Sequence, residues 1–387
     1  MQALVFDKSK SEWETTRGLE NVDVPDPVLD ERANPTDANS LILKVRYAGV
    51  CGTDRGIWNR QAFRDAILDT IDGQVGAGGN PYRIVGHELF GEVAQVGSGV
   101  RNIRPGDFVS CESHVSCNEC YQCLRGEKHV CANEQILGIS HDGVFAEFAK
   151  VPAHIIWKTD AARIGPEVAA LQEPFGNAMH AASKVDLRGK KVAIFGLGTI
   201  GMFLTVIAKG LGAACVIGVE PNPVAAGMAK RLGIDYVIPL PASGSGGEPH
   251  THNPDITDAV KRITHGVGVD VSFEMAGFNS SLNNCLHATR RGGHVVLFGI
   301  NSSDFVLEDY NRFVVHGFTM HAVIGRRVWE TWEATRALLQ DPSNGVREKL
   351  FDIVLAGGNG TILPMEEFSK DRFEEMMAKH PKFLLRF

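Results

Sequence analysis

The chain has 387 residues, 44% of them hydrophobic and 22% charged, with a formal net charge of -7 at pH 7. That length exceeds one ordinary core and sets an expectation of two domains. The acidic balance offers no basic surface for a polyanion, which argues against nucleic acid as a partner.

The segment MQALVFDKSKSEWE has neither the basic flank nor the apolar run of a secretion signal, and no apolar run reaches the roughly 20 residues that cross a bilayer. A cytoplasmic protein without membrane contact is expected. The first 160 residues carry short β-rich runs, among them the heptapeptide starting at Leu41 and Gly91 to Val96, punctuated by Gly, Pro and Asp. They predict a compact, mostly antiparallel β domain.

Two segments of that domain have metal-ligand chemistry. Cys51-Gly52-Thr53-Asp54 follows an apolar strand, and Gly86-His87-Glu88 comes later. Alone, Cys51 reads equally well as a buried thiol and His87-Glu88 as a hydrogen-bonded core pair. With Glu173 of Leu171-Gln172-Glu173-Pro174 they offer a thiolate, an imidazole and carboxylates, a set that suits zinc with three protein ligands and an exchangeable fourth position.

Cys117, Cys120, Cys123 and Cys131 follow the spacing C-x2-C-x2-C-x7-C. In a reducing compartment, clustered cysteines favour metal over disulfides. Four thiolates close a tetrahedron around zinc and leave no position for substrate, so this zinc is expected to be structural. A disulfide pair or an iron-sulfur cluster is the alternative. Cys111, Cys215 and Cys285 have no such grouping and read as small core residues.

From about Gly189 the texture changes to apolar strands alternating with helical stretches: Lys191 to Phe195, Ile200 to Leu211, Val216 to Val219, Val224 to Leu232, then strands at Asp270 and His294. This predicts a parallel sheet covered by helices. Gly196-Leu197-Gly198-Thr199-Ile200-Gly201 sits at the first strand-to-helix turn, where the glycines permit the turn, backbone approach to a pyrophosphate and close packing. Glu220, at the end of the next strand, can accept ribose hydroxyls and repels a 2'-phosphate, so NAD is favoured over NADP. The alternative is a plain glycine turn with a solvated Glu. Pro239 to Pro249 reads as a loop by composition, and the tail after Gly325 as an amphipathic helix and a short apolar strand near Phe383 that returns to the first domain.

Taken together, CGTD at 51 to 54, GHELFGEVAQVG at 86 to 97, the four-cysteine lobe, ILGISHDGVFAEF at 136 to 148, IIWK at 155 to 158, LQEPFGNAMH at 171 to 180, GLGTIG at 196 to 201 and GRRVWETW at 325 to 332 identify a resemblance. Over essentially its full length the chain resembles the zinc-dependent medium-chain dehydrogenase/reductases, and within them the threonine dehydrogenase branch. The resemblance implies an α/β architecture: a GroES-like β-rich catalytic domain over 1–161 with its zinc lobe near 111–131, a doubly wound Rossmann domain over 162–324, and a return to the catalytic domain over 325–387. It implies two Zn2+ per chain and NAD, a catalytic zinc near Cys51, His87 and Glu88 with Glu173 as an exchanging carboxylate, Thr53 beside the substrate hydroxyl, Arg326 against the cofactor, and a homotetramer, with a homodimer as the alternative.

The activity implied is hydride transfer from a secondary alcohol to NAD+, with L-threonine to 2-amino-3-oxobutanoate as the leading substrate pair. A polyol, sugar or inositol dehydrogenase is the alternative, and a non-catalytic NAD-binding relative the reading from another class. One departure bears on substrate: where threonine dehydrogenases carry a proton-transferring histidine two residues after CGTD, this chain has Gly56, preceded by Arg55. Arg55 reads as an anion contact or as a surface arginine. The segment up to Gly86 is also longer than usual, with a loop insertion expected at Gln74 to Asn80.

Overall fold

The computed structural model describes residues 1–240, 248, 250–300 and 304–387. The loop expected from Pro239 to Pro249 falls outside the described residues over Pro241 to Gly247 and at Pro249. Two compact units form, one from 1–173, 327–342 and 350–387, the other from 174–326 and 343–349.

Unit 1 is built on strands β1 (Gln2–Asp7), β2 (Glu20–Asp23), β3 (Ser40–Gly49), β4 (Tyr82–Ile84), β5 (Glu88–Val96), β6 (Phe108–Cys111), β7 (His114–Val115), β8 (Gln135–Ile136), β9 (Phe148–Pro152) and β10 (Ile156–Lys158). β1, β2 and β4 make a small antiparallel sheet, and β3 pairs antiparallel with both β5 and β9 in a larger one. Leu41, Leu43, Val45 and Ala48 of β3 have no exposure and belong to the core of unit 1, whereas Lys44 is exposed.

The loop expected at Gln74 to Asn80 is a loop only in its second half: a helix spans Arg64–Gly76 and takes in Gln74, and residues 77–80 are irregular. The helix's inward residues Ile67 and Ile71, spaced one helical turn apart, are fully buried, and their burial contributes about 1.5–3 kcal/mol each.

Unit 2 is a six-stranded, all-parallel sheet of β11 (Lys191–Phe195), β12 (Cys215–Val219), β13 (Tyr236–Ile238), β14 (Val269–Glu274), β15 (Thr289–Leu297) and β16 (Thr319–Ala322), in the order β13-β12-β11-β14-β15-β16. The helix Thr199–Gly210 after β11 is buried on nearly every face. The strand order reverses between β11 and β14, where open α/β sheets form a ligand crevice beyond the strand ends.

The chain then returns to unit 1 through the helix Glu330–Gln340 and strands β17 (Ile362–Pro364) and β18 (Leu384–Arg386), with β18 pairing antiparallel to β3. The first boundary falls at Glu173, later than the expected 161. The reason is local bonding: the Tyr47 hydroxyl donates to Glu167 at 3.1 Å and the Ser110 hydroxyl to the Ala169 carbonyl at 3.0 Å, which ties the short helix Pro166–Ala169 to unit 1. Of the ungrouped cysteines, Cys111 and Cys285 are fully buried and Cys215 is half-buried against the unit 2 core.

Candidate active site and metal centres

The ladder of unit 1 assembles the first cluster. Gly49, at the end of β3, is the register partner of Glu88, at the start of β5, and of Leu384, at the start of β18. Residues just beyond these three strand ends therefore meet: Cys51 after β3, His87 before β5 and Lys382 before β18. Cys51, His87 and Glu88 each offer a ligand atom within 4.8 Å of the others. Gly49 makes room, since a Cβ there would lie 1.9 Å from Glu88 Oε2.

The surroundings orient this donor set. The Cys51 N–H donates to Asp54 Oδ2 at 2.8 Å, and Asp54 Oδ1 faces His87 Nδ1 at 3.5 Å. Burial works against a proton on His87, yet the Asp54 carboxylate and the Cys51 sulfur hold its pKa well above the usual imidazole value. A carboxylate behind a ligating imidazole fixes its tautomer and ring orientation. Glu88 is completely buried, with Oε2 paired to the Lys382 ammonium, which also donates to the Val50 carbonyl at 3.1 Å. Glu88 Oε1 has no hydrogen-bond partner among the described residues. Burial pushes the Glu88 carboxyl up, Lys382 pulls it back and nearby Glu173 adds to the rise. A thiolate, an imidazole and an orphaned carboxylate oxygen at this spacing fit a zinc ion.

Glu173 is buried and accepts from the Ser113 hydroxyl at 2.7 Å, but it is not one of the three donors that converge within 4.8 Å. Thr53 is half-buried in the first turn of the helix Gly52–Trp58.

Arg55 is half-buried, with its guanidinium turned toward main-chain carbonyls. Its guanidinium donates to the carbonyls of Met377, His380 and Pro381 at 2.6, 2.6 and 3.2 Å and lies 5.9 Å from the centre of the Phe383 ring. Gly56 is sterically required: a Cβ there would be 2.8 Å from the Cβ of Ala62, in the segment that leads into the helix Arg64–Gly76. The longer segment thus fills the space that a histidine side chain needs.

The second cluster is the cysteine lobe. All four cysteines are free thiols, and a ligand atom from each lies within 4.8 Å of the others. Cys131 Sγ is 3.5 Å from Cys117 Sγ and 3.8 Å from Cys120 Sγ. A disulfide needs about 2.05 Å. A tetrahedron with 2.3 Å zinc-sulfur bonds has edges of about 3.8 Å, so the spacing fits one tetrahedral ion. Backbone N–H groups at Cys123 and Ala132 bring the Cys120 thiol down to about 6, whereas burial pushes Cys123 up to about 12.

In unit 2, Gly196 has φ +97°, in the left-handed region open to glycine, and lies against Ala276 beyond the end of β14. A Cβ at Gly201 would lie 2.1 Å from the Gly196 carbonyl oxygen, while one at Gly198 would meet nothing within 4 Å. Gly201 is thus a packing requirement, and Gly198, at the N-terminus of the helix Thr199–Gly210, borders open space suited to a phosphate. Glu220 is buried rather than solvated: its oxygens accept from the N–H groups of Leu197 at 2.6 Å and Asn222 at 2.9 Å. These bonds fix the carboxylate against the glycine turn and leave lone pairs for further donors. Thr199 and Ile200 open the helix. Arg326 is buried and donates to Asn177 Oδ1 at 2.9 Å.

Sequence reasoning did not single out Lys382, Asp54, Ser113 or Gly49. Asp54 stands inside the quoted CGTD and had a signal. Lys382 had none, because its role comes only from the register of β18 on β3. The tryptophans of GRRVWETW pack within unit 1, Trp329 stacking on Trp157 at 5.4 Å and Trp332 donating to Glu112 Oε2 at 3.0 Å.

Residues 37–161 match the family model described as alcohol dehydrogenase GroES-like domain, and residues 199–341 the model described as zinc-binding dehydrogenase. An L-threonine 3-dehydrogenase from Pyrococcus horikoshii is 35% identical over 360 residues, covering 90% of this chain and 94% of the relative. Another, from Symbiobacterium thermophilum, is 35% identical over 343 residues, covering 88% and 90%. Among solved structures, alcohol dehydrogenase TADH from Thermus sp. ATN1 superposes with a TM-score of 0.80 at 23% identity, covering 100% of this chain and 99% of that one. The 2R,3R-butanediol dehydrogenase from Bacillus subtilis gives 0.79 at 22% identity, with the same coverage. These matches, with the two metal-type clusters and the glycine turn, place the chain in the zinc-binding alcohol dehydrogenase family.

Proposed function

We propose that the protein oxidises a secondary alcohol to a ketone with NAD+, and that its substrate is L-threonine or a close β-hydroxy amino acid. The observation that carries the reaction type is the convergence of Cys51, His87 and Glu88 within 4.8 Å, with Glu88 Oε1 unpartnered among the described residues. The substrate reading rests on relatives 32–35% identical over most of the chain that bear the name L-threonine 3-dehydrogenase.

Bound zinc supplies Lewis acidity toward the alcohol oxygen, and NAD+ accepts the hydride equivalent. Cys51, His87 and Glu88 hold the metal, Asp54 orients His87, and Glu173 serves as a nearby exchanging carboxylate. The Thr53 hydroxyl takes up and passes on the proton released from the alcohol. Gly196, Gly198 and Gly201 with Leu197, Thr199 and Ile200 cradle the pyrophosphate, Glu220 accepts the ribose hydroxyls and favours NAD over NADP, and Arg326 contributes to the cofactor site. The four-cysteine lobe holds a second, structural zinc.

A polyol, sugar or inositol substrate is the second reading, and the fates of Arg55 and Gly56 favour it. The Arg55 guanidinium is turned to main-chain carbonyls and Gly56 has no side chain, whereas an amino acid substrate would use an anion contact and an imidazole that a neutral polyol would not. A homotetramer is the proposed assembly. The outer edge of β16, which among the described residues pairs only with β15, and exposed Val314, Val315 and Ile324 support self-association. The free thiols accord with a reducing, cytoplasmic setting.

The test is NADH formation at 340 nm with L-threonine, D-sorbitol, D-glucose, myo-inositol and simple secondary alcohols, for the parent and Cys51→Ser. Turnover of threonine that Cys51→Ser abolishes while NAD binding is kept supports the proposal. Strong turnover of a polyol with none of threonine selects the second reading, and full activity of Cys51→Ser removes the zinc assignment.

A further inference from the structure

Within unit 2 a third set of metal-ligating side chains converges that none of the chemistry above uses. His252, His287 and Glu308 each offer a ligand atom within 4.8 Å of the others. The helix Asn279–Ala288 builds the cluster, because Asn279, Asn283 and His287 recur every four residues and so share one face. Asn279 Nδ2 donates to the Asp304 carbonyl at 2.6 Å, and its Oδ1 accepts from Val306 N–H at 3.1 Å. One turn on, Asn283 Nδ2 donates to the carbonyls of Val306 at 2.9 Å and His250 at 2.7 Å, and its Oδ1 accepts from Glu308 N–H at 3.1 Å. Two chain segments are thus fastened along this face, and the next position on it is His287.

Glu308 Oε2 accepts from both the N–H and Nδ1 of His252, at 2.8 and 2.9 Å. The His252 and His287 rings lie face to face, 3.6 Å apart and 7° from parallel. His287 Nε2 is buried and has no hydrogen-bond partner among the described residues. A buried ring nitrogen without a partner is an unfavourable element that a ligand relieves.

We propose that His252, His287 and Glu308 form a further binding site for a divalent transition metal of the zinc or nickel type. Two imidazoles and a carboxylate suit such ions, whereas hard Mg2+ and Ca2+ prefer all-oxygen sites. Bonds of about 2.1 Å put neighbouring donors of a tetrahedron about 3.4 Å apart. An ion also lies near the plane of each imidazole it binds, so the His287 ring turns out of the stack as the metal enters. The occupied site cross-links the segments holding His252 and Glu308 to the helix that carries His287. This inference does not depend on the proposed substrate or reaction.

The experiment is equilibrium dialysis of the full chain against NiCl2, the chain first brought to two zinc ions per chain so that the two thiolate-containing sites are filled and the His252 site is left open, with nickel and zinc per chain counted by mass spectrometry, alongside thermal unfolding with and without nickel. The parent is expected to take up one nickel per chain without losing zinc and to melt higher with nickel present. His287→Ala and Glu308→Gln should each weaken uptake by about tenfold or more, since loss of a ligand costs at least as much as loss of its supporting partner. Glu308→Gln keeps the side chain's size and so remains informative if His287→Ala folds poorly. His294→Ala, at the separate His294–His321 pair whose ring nitrogens are 3.1 Å apart, should leave uptake unchanged. The proposal is overturned by absence of uptake, by uptake matched by zinc release, by uptake that survives both ligand variants, or by uptake lost in His294→Ala.

Discussion

Lys382 and Glu88 form an ion pair with side-chain exposures of 1% and 0%, joining the segment before the last strand to the carboxylate at the start of β5. A buried pair of this kind contributes little relative to a well-packed apolar substitute, but removing one member leaves a buried charge uncompensated. Lys382→Met is therefore expected to lower stability by about 3–5 kcal/mol. Lys382→Met with Glu88→Gln should recover part of that loss. Denaturant unfolding of the three variants checks this, and equal stability of Lys382→Met and the parent would show that the pair is not the constraint described here.

The cysteine lobe should depend on its metal. Cys120→Ser removes one of four ligands and is expected to release the lobe's zinc and lower the melting temperature, because structural zinc contributes on the order of 10 kcal/mol in small zinc-folded peptides. Metal counting with a thermal scan reads both effects. An unchanged melting point together with lost zinc would separate the lobe from the stability of unit 1.

Gly56→Ala tests the steric account of the departure from threonine dehydrogenases. Its Cβ would stand 2.8 Å from that of Ala62, an overpacking expected to cost about 1–3 kcal/mol. Ala62→Gly in the same chain should restore most of it. If Gly56→Ala alone is neutral, the longer segment does not govern what residue 56 can be.

Glu220→Ala deprives the N–H groups of Leu197 and Asn222 of their acceptor. The expected outcome is a loss of about 1–3 kcal/mol in stability and a smaller preference for NAD over NADP. Unfolding midpoints and the ratio of the two kcat/KM values measure these separately. An unmoved cofactor ratio with the stability loss present would confine Glu220 to shaping the turn.

The parallel sheet of unit 2 was legible because each of its inner strands is a short apolar run followed by a helix, a pattern set by local sequence. The four-cysteine lobe was legible for the same reason, since its ligands lie within one short stretch. Lys382 was not, because a lone lysine beside Phe383 reads as surface until β18 is seen to pair with β3. The helix Arg64–Gly76 was read partly as a loop because its glycines, Gly73 and Gly76, outweighed the Ile67–Ile71 spacing that buries one face. The setting of Arg55 was not legible because its partners are backbone carbonyls more than 300 positions away, and main-chain acceptors leave no trace in residue types.

The pairing of β3 with β18 also has a temporal side. Unit 2 is written almost entirely between these two strands, so at 5–20 residues per second the ribosome leaves Tyr47, Ala48 and Gly49 waiting on the order of tens of seconds for their partners Arg386, Leu385 and Leu384. Unit 2 is made in one nearly continuous stretch and can mature during that interval. Unit 1 stays unfinished, the Tyr47–Gly49 end of β3 uncovered, so holdase chaperones should engage nascent chains chiefly between emergence of the first strands and arrival of the last.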